Sequence, residues 1–142
     1  MVLALVLAAC VVASGQSAAK KVIKPKGVPD SPNYSAGLLV GDTLYVAGQT
    51  GNDPVTQKQP DKFEDEVSQC LKNVGAVLDA GGMNYSDVVA VTVYLTDMDL
   101  FPRMNAVYTG VFKAPRPTRT TVAVSKLAGP TQHIEITVTA RK

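Results

Sequence analysis

The stretch that decides the arrangement of this chain is 115-Pro-Arg-Pro-Thr-Arg-Thr-Thr-Val-Ala-Val-Ser-Lys-Leu-127, followed after a loop by 133-His-Ile-Glu-Ile-Thr-Val-Thr-Ala-140. Two runs of β-branched residues, 118–124 and 133–140, flank Gly129-Pro130, which reads as a hairpin. In a strand, successive side chains alternate between the two faces of the sheet. In the second run Ile134, Ile136, Val138 and Ala140 therefore point one way, and His133, Glu135, Thr137 and Thr139 the other. In the first run Arg119, Thr121 and Ala123 share a face, opposite Thr118, Thr120, Val122 and Val124. One arginine and one glutamate sit mid-strand, each away from its strand's bulkiest aliphatic residues. Such charges are either solvated surface or part of a built site.

Working outward, Val88–Leu95 is apolar on both faces except at Thr92, the pattern of a central strand. Before it, the span 62–80 carries Phe63, Val67, Cys70, Leu71, Val74, Val77 and Leu78 at helical spacing. Asp61 is the expected N-cap of this helix and Gly81-Gly82 its stop. A second helix is expected over 100–112, with Asp99 as N-cap, Pro102 in the first turn, and Leu100, Met104, Val107, Val111 and Phe112 on its buried side. Upstream, Ala36–Val40 and Thr43–Ala47 across Gly41-Asp42 read as another hairpin, and Lys20–Lys24 as a short edge strand or a solvated entry segment. The order β-β-β-α-β-α-β-β implies an α+β domain, a mixed sheet with two helices on one face. Arg119, Glu135 and Thr92 are expected together on the other face. A sheet face rich in aliphatic and threonine side chains makes poor solvent surface, so subunit association through it is the economical solution, leaving clefts at its rim.

At 142 residues the chain is one domain, 20–142, preceded by a leader, 1–19. The leader has no Lys, Arg, Asp or Glu, and its apolar run is too short to span a membrane but has the length of a signal-peptide core. Leu7-Ala8-Ala9-Cys10 has the form of a lipobox, in which Cys10 would be lipidated and would tether the domain to a membrane. Ser17-Ala18-Ala19 before Lys20 offers conventional cleavage instead. Both imply export, whether periplasmic, secreted or membrane-anchored; a retained apolar N-terminus would leave the protein cytoplasmic. Cys70, on the helical stripe, reads as a buried small hydrophobe, and its setting differs too much from that of Cys10 to suggest a disulfide.

A net charge of +2 with scattered basic residues makes no case for nucleic acid. The single histidine, His133, reads as a strand-start residue, and the absence of CxxC, HxxxH or clustered carboxylates predicts no metal site. No phosphate loop opens a helix, and no serine has an evident base. What remains is Arg119, Glu135, Tyr34, Asn105 and the backbone at Gly48. An arginine fork binds a carboxylate bidentately, and a glutamate nearby can hold water or move a proton. The set suits a small carboxylate-bearing substrate attacked by water, against the alternative of a cross-strand ion pair with ordinary neighbours.

Pro117-Thr118-Arg119, then Val122 and Leu127, then Ile134-Glu135-Ile136 resembles the C-terminal signature of the YjgF/RidA (reactive-intermediate, or imine, deaminase) family. Gly41-Asp42 with Leu44–Gln49, the 62–80 helix ending in Gly-Gly, Val91–Asp97, and Phe101, Asn105, Tyr108 and Phe112 at fixed spacing extend the resemblance over 34–142. The resemblance implies a chorismate-mutase-like α+β fold assembled as a homotrimer with inter-subunit clefts. It further implies hydrolysis of 2-imino acids such as 2-iminopropanoate and 2-iminobutanoate to 2-keto acids and ammonia, without a cofactor. By position, Arg119 would bind the substrate carboxylate and Glu135 would position the water, with Tyr34, Gly48, Asn105 and Thr121 completing the pocket. The chain departs from many active members at Thr121, where they have cysteine, and at Ala47, where they have serine. Two other readings stay open: a non-catalytic trimeric module binding small carboxylates, and the ribonuclease or translation-inhibitor activity ascribed to some members, against which the absence of a basic stripe argues.

Overall fold

The fold is organised around the C-terminal strand, which takes the middle of the sheet. The structure is a computed structural model and describes residues 18–142; the leader, with its cleavage and Cys10 lipidation readings, lies outside them except for its last two residues. The elements are β1 (Lys20–Ile23), β2 (Gly37–Val40), β3 (Thr43–Thr50), α1 (Phe63–Ala80), β4 (Val88–Leu95), α2 (Phe101–Val111), β5 (Thr118–Ala123) and β6 (Ile134–Arg141). They build one six-stranded sheet in the order β1-β2-β3-β6-β4-β5. Only β4 and β5 pair in parallel; the other pairings are antiparallel. The expected α+β architecture, a mixed sheet with both helices on one face, is what forms.

Local signals explain most elements. Gly41 turns the β2–β3 hairpin at φ +60°, a conformation open to glycine and strained for residues with a Cβ. The stripe of α1 is buried along its full length. The helix stops at Gly81-Gly82 in a Schellman arrangement: Gly82 N–H donates to Asp79 O and Met83 N–H to Leu78 O, both at 2.8 Å, with Gly82 at φ +72°. The capping expectations fail in detail. Lys62, not Asp61, is the N-cap of α1 and gives it no side-chain bond; the acidic first turn of Glu64, Asp65 and Glu66 faces the helix dipole instead. Asp99 does not cap α2 either: Asp97 caps a short 3₁₀ turn, Met98–Leu100, that runs into α2.

The hairpin expected from the two C-terminal runs is overturned. β5 leaves α2 and lies parallel beside β4, while β6 inserts between β3 and β4. The connection, residues 124–133, is longer than the roughly 2–5-residue loops of hairpins. Burial gives the reason. Ile134, Ile136, Val138 and Ala140 are all buried, so β6 gains most from a central place, whereas β5 buries no residue fully and takes the edge. Each large aliphatic of this layer is worth about 1.5–3 kcal/mol when fully buried.

The helix-covered face consists of Leu44 and Val46 from β3, the four β6 residues just named, and Val91, Val93 and Leu95 from β4. On β4 the alternate residues Ala90, Thr92 and Tyr94 are only half-buried, so the strand is covered on one side within this chain rather than on both. With Leu38, Tyr45, Thr137 and Thr139 they form an open sheet face.

Candidate active site

Register decides where the predicted residues go. Arg119 is paired with Val91 and Thr121 with Val93, so both lie on the helix-covered face. Glu135 is paired with Thr50 and Tyr94 and lies on the open face, as does Thr92. The expectation that Arg119, Glu135 and Thr92 share one face is therefore wrong for Arg119. It held the larger aliphatic, Val122, to mark the covered side of β5, but an edge strand need not turn its bulkiest residue inward. Adjacent strands stand ~4.8 Å apart and residues rise ~3.3 Å, so Arg119 and Glu135 are offset by roughly 10 Å across β4 and roughly 10 Å along it, on opposite faces. A three-carbon acid spans a fraction of that distance.

The residues instead form two half-sites. In the first, Arg119 Nη1 donates to Asn105 Oδ1 of α2 at 2.8 Å. Its guanidinium carbon lies 4.5 Å from the Tyr108 ring centroid and 5.4 Å from that of Phe101. These cation–π contacts fix the plane of the fork while most of its N–H groups remain unused by Asn105. The Thr121 hydroxyl and the Tyr108 hydroxyl are buried without a hydrogen-bond partner. Burial pushes the Tyr108 phenol up, partly offset by the Arg119 and Arg116 charges. This half-site joins three predicted residues, Arg119, Asn105 and Thr121, and adds Tyr108 and Phe101, which the sequence reading took only as helix and motif positions.

The second half-site surrounds Glu135. A chamber of about 520 Å³ is lined by Tyr34, Gly48, Gln49, Asn52, Gln132 and Glu135 among others. It therefore gathers the other three predicted residues, Tyr34, Gly48 and Glu135. β3 and β6 slip register between Val46 and Gln49, a bulge that removes Gly48 from the ladder. A Cβ on Gly48 would overlap the Glu135 carboxylate, so the acid sits directly on the glycine backbone. Side chains satisfy the bulge carbonyls: Thr137 Oγ1 donates to Val46 O at 2.6 Å, and Gln49 Nε2 to Ala47 O at 2.9 Å. Asn73 of α1 holds the strand exit, donating to Thr50 O and Asn52 O. Tyr34, 62% exposed, stands between this chamber and an adjoining one of about 340 Å³ beneath residues 24–36.

Glu66 escaped the sequence reading, whereas Cys70 is the buried small hydrophobe it expected. Glu66 is 1% exposed on the buried side of α1, and its carboxylate grips His133. The signal was available, since position 66 falls three after Phe63 and four before Cys70 on the apolar stripe. Cys70 is fully buried, its Sγ donating to Gln49 O at 3.0 Å, and burial pushes its thiol up strongly, as suits an unreactive packing residue. Among the described residues no group of three or more His, Cys, Asp or Glu side chains converges as a metal cage.

The profile of the family described as Endoribonuclease L-PSP matches residues 28–142. A RutC family protein of Saccharolobus solfataricus is 44% identical over 110 residues, covering 77% of this chain and 86% of its own. The 2-iminobutanoate/2-iminopropanoate deaminase of Rattus norvegicus is 37% identical, covering 76% and 80%. Among solved structures, RidA from the Antarctic bacterium Psychrobacter sp. PAMC 21119 superimposes with a TM-score of 0.80 at 31% identity, covering 86% of this chain and 99% of its own. E. coli TdcF, solved with bound serine, gives 0.80 at 30%, covering 86% and 98%.

Proposed function

Because the chain belongs to the Endoribonuclease L-PSP family, the YjgF/RidA proteins, we propose that it hydrolyses reactive 2-imino acids to 2-keto acids and ammonia in clefts completed by a second copy of itself. One observation carries this reading: Arg119 and Glu135, suited to a carboxylate anchor and a water-handling acid, leave the sheet on opposite faces. A monomer cannot bring them to one small substrate. Association through the open face, in a closed trimer, would set the Arg119 half-site of one protomer against the Glu135 chamber of the next.

In that cleft the Arg119 fork, stacked on Tyr108 and tied to Asn105, receives the substrate carboxylate. Glu135, resting on Gly48, orients a water toward the imine carbon and takes its proton as the C–O bond forms. The same acid returns a proton to nitrogen, then takes the hydroxyl proton as the C–N bond breaks, ammonia departs and the carbonyl forms. A protonated imine is already electrophilic, so positioning and charge placement can supply most of the acceleration. The names of the rat deaminase and of serine-bound TdcF support a small amino-acid-derived ligand.

The test is decay of 2-iminopropanoate, generated in situ from alanine by an amino-acid oxidase and followed with and without the protein. Faster decay is expected, falling by about 100-fold or more in Arg119→Ala. Equal decay with and without protein would sink the reading for this substrate. Ligand-induced stabilisation that requires Arg119, with no turnover, would point to a binding module.

A further inference from the structure

The chain's one histidine stands two residues before Glu135, and α1 reaches across to hold it. Glu66 Oε1 accepts the His133 backbone N–H at 2.7 Å, and Glu66 Oε2 lies 2.8 Å from His133 Nδ1. Opposite a carboxylate, Nδ1 carries the hydrogen and donates it, which leaves Nε2 on the exposed side of a ring whose side chain is 51% accessible. The His133 carbonyl accepts from Thr96 N–H at 3.0 Å, and the ring meets Phe63 edge-on at 6.4 Å. Both backbone polar groups and the inner ring nitrogen of one residue are thus committed.

A carboxylate is an unexpected choice on an apolar helix stripe, where leucine would pack without desolvating a charge. The surroundings are shaped to admit it: a Cβ on Gly51 would overlap Glu66. Both Glu66 oxygens go to the segment that enters the Glu135 chamber. Gln132, the preceding residue, lines that chamber and donates to Thr50 Oγ1 at 3.2 Å, while its oxygen accepts from Gly129 N–H at 3.1 Å. Gln59 holds the segment from outside, donating to Thr131 O at 2.7 Å and accepting from Thr131 Oγ1 at 2.8 Å.

We propose that Glu66 and His133 are positioning residues, a clamp that fixes where β6 begins and so aims Glu135 across Gly48. This rests on the reading that Glu135 handles the water. Loss of the clamp should let the 131–135 segment shift without disturbing Arg119, which lies on another strand and the other face.

The experiment compares wild type with Glu66→Leu, Glu66→Gln and His133→Ala by amide exchange and by 2-iminopropanoate kinetics. In Glu66→Leu the amides of 132–135 should lose protection, kcat should fall about tenfold, and KM should stay within about twofold because the carboxylate anchor is intact. Glu66→Gln, which still accepts the His133 N–H, should recover most of kcat. His133→Ala truncates a half-exposed ring, leaves the core intact, and should show a smaller loss in the same direction. Unchanged protection at 132–135 in Glu66→Leu overturns the clamp whatever the activity. Lost protection with unchanged kcat, or a KM rise that accounts for the whole loss, overturns its link to Glu135. An inactive wild type is a failure of the deaminase reading, and the exchange measurement then decides the clamp alone.

Discussion

Gly48 shows how narrow the tolerance of this site is at the scale of a residue. Its missing side chain is the space the Glu135 carboxylate occupies, and a β-bulge holds the two together. Gly48→Ala should push Glu135 aside and lower kcat about 10- to 100-fold. The thermal midpoint should move only modestly, since the bulge lies outside the ladder; a large drop with normal kcat would contradict this. The sequence marked Gly48 as a strand end and a candidate backbone contact, but the reason for glycine lies 87 positions away in the chain. Arg119 and Asn105 were legible as members of one set with Glu135, Tyr34 and Gly48, and Thr121 only through the family resemblance; the structure divides that set between two half-sites. Tyr108 beneath the fork was legible only as one position of the α2 motif, because a helical aromatic looks the same whether it faces a core aliphatic or a cation.

At the scale of elements, alternation fixes the faces within a strand, but only pairing relates the faces of different strands. That is why the strands themselves were readable while the C-terminal hairpin was not. β5 pairs with β4, so the side of Arg119 follows Val91 rather than any residue of β6. The two helices are joined by a contact of the same long-range kind: Arg103 of α2 donates from Nε and Nη2 to the two Glu64 oxygens at 2.6 and 2.9 Å and lies over the Phe63 ring. The Arg103 hydrogen bond chiefly holds the Glu64 carboxyl down from 4.5 to about 2. A lowered carboxyl stabilises the fold above its unfolded value and loses that contribution as pH falls through the folded one. The thermal midpoint of wild type should therefore exceed that of Arg103→Gln at neutral pH, and the gap should close between about pH 4.5 and 2. Because the pair is exposed, the gap should be small and should shrink with salt. A gap that persists at pH 2 would assign it to packing on Phe63 instead.

For the whole molecule, the open face is the surface through which the proposed association would complete the site. Leu38, Tyr45, Tyr94 and Val122 turn outward from a sheet whose other side carries both helices. The aliphatic and threonine content of this face marked it in the sequence as poor solvent surface, although each strand taken singly shows only the usual half-polar alternation. The opposite exits of Arg119 and Glu135 also carry a genetic consequence. In the proposed trimer, two null alleles, one encoding Arg119→Ala and the other Glu135→Ala, should complement in trans: a mixed ring would contain one junction that draws its arginine and its glutamate from intact copies. Co-expressed and purified together, they should reach at most about one third of wild-type turnover per ring. The same two changes carried in cis, on a single allele, should give none, and failure of the trans pair to exceed the cis double would overturn a cleft shared between protomers.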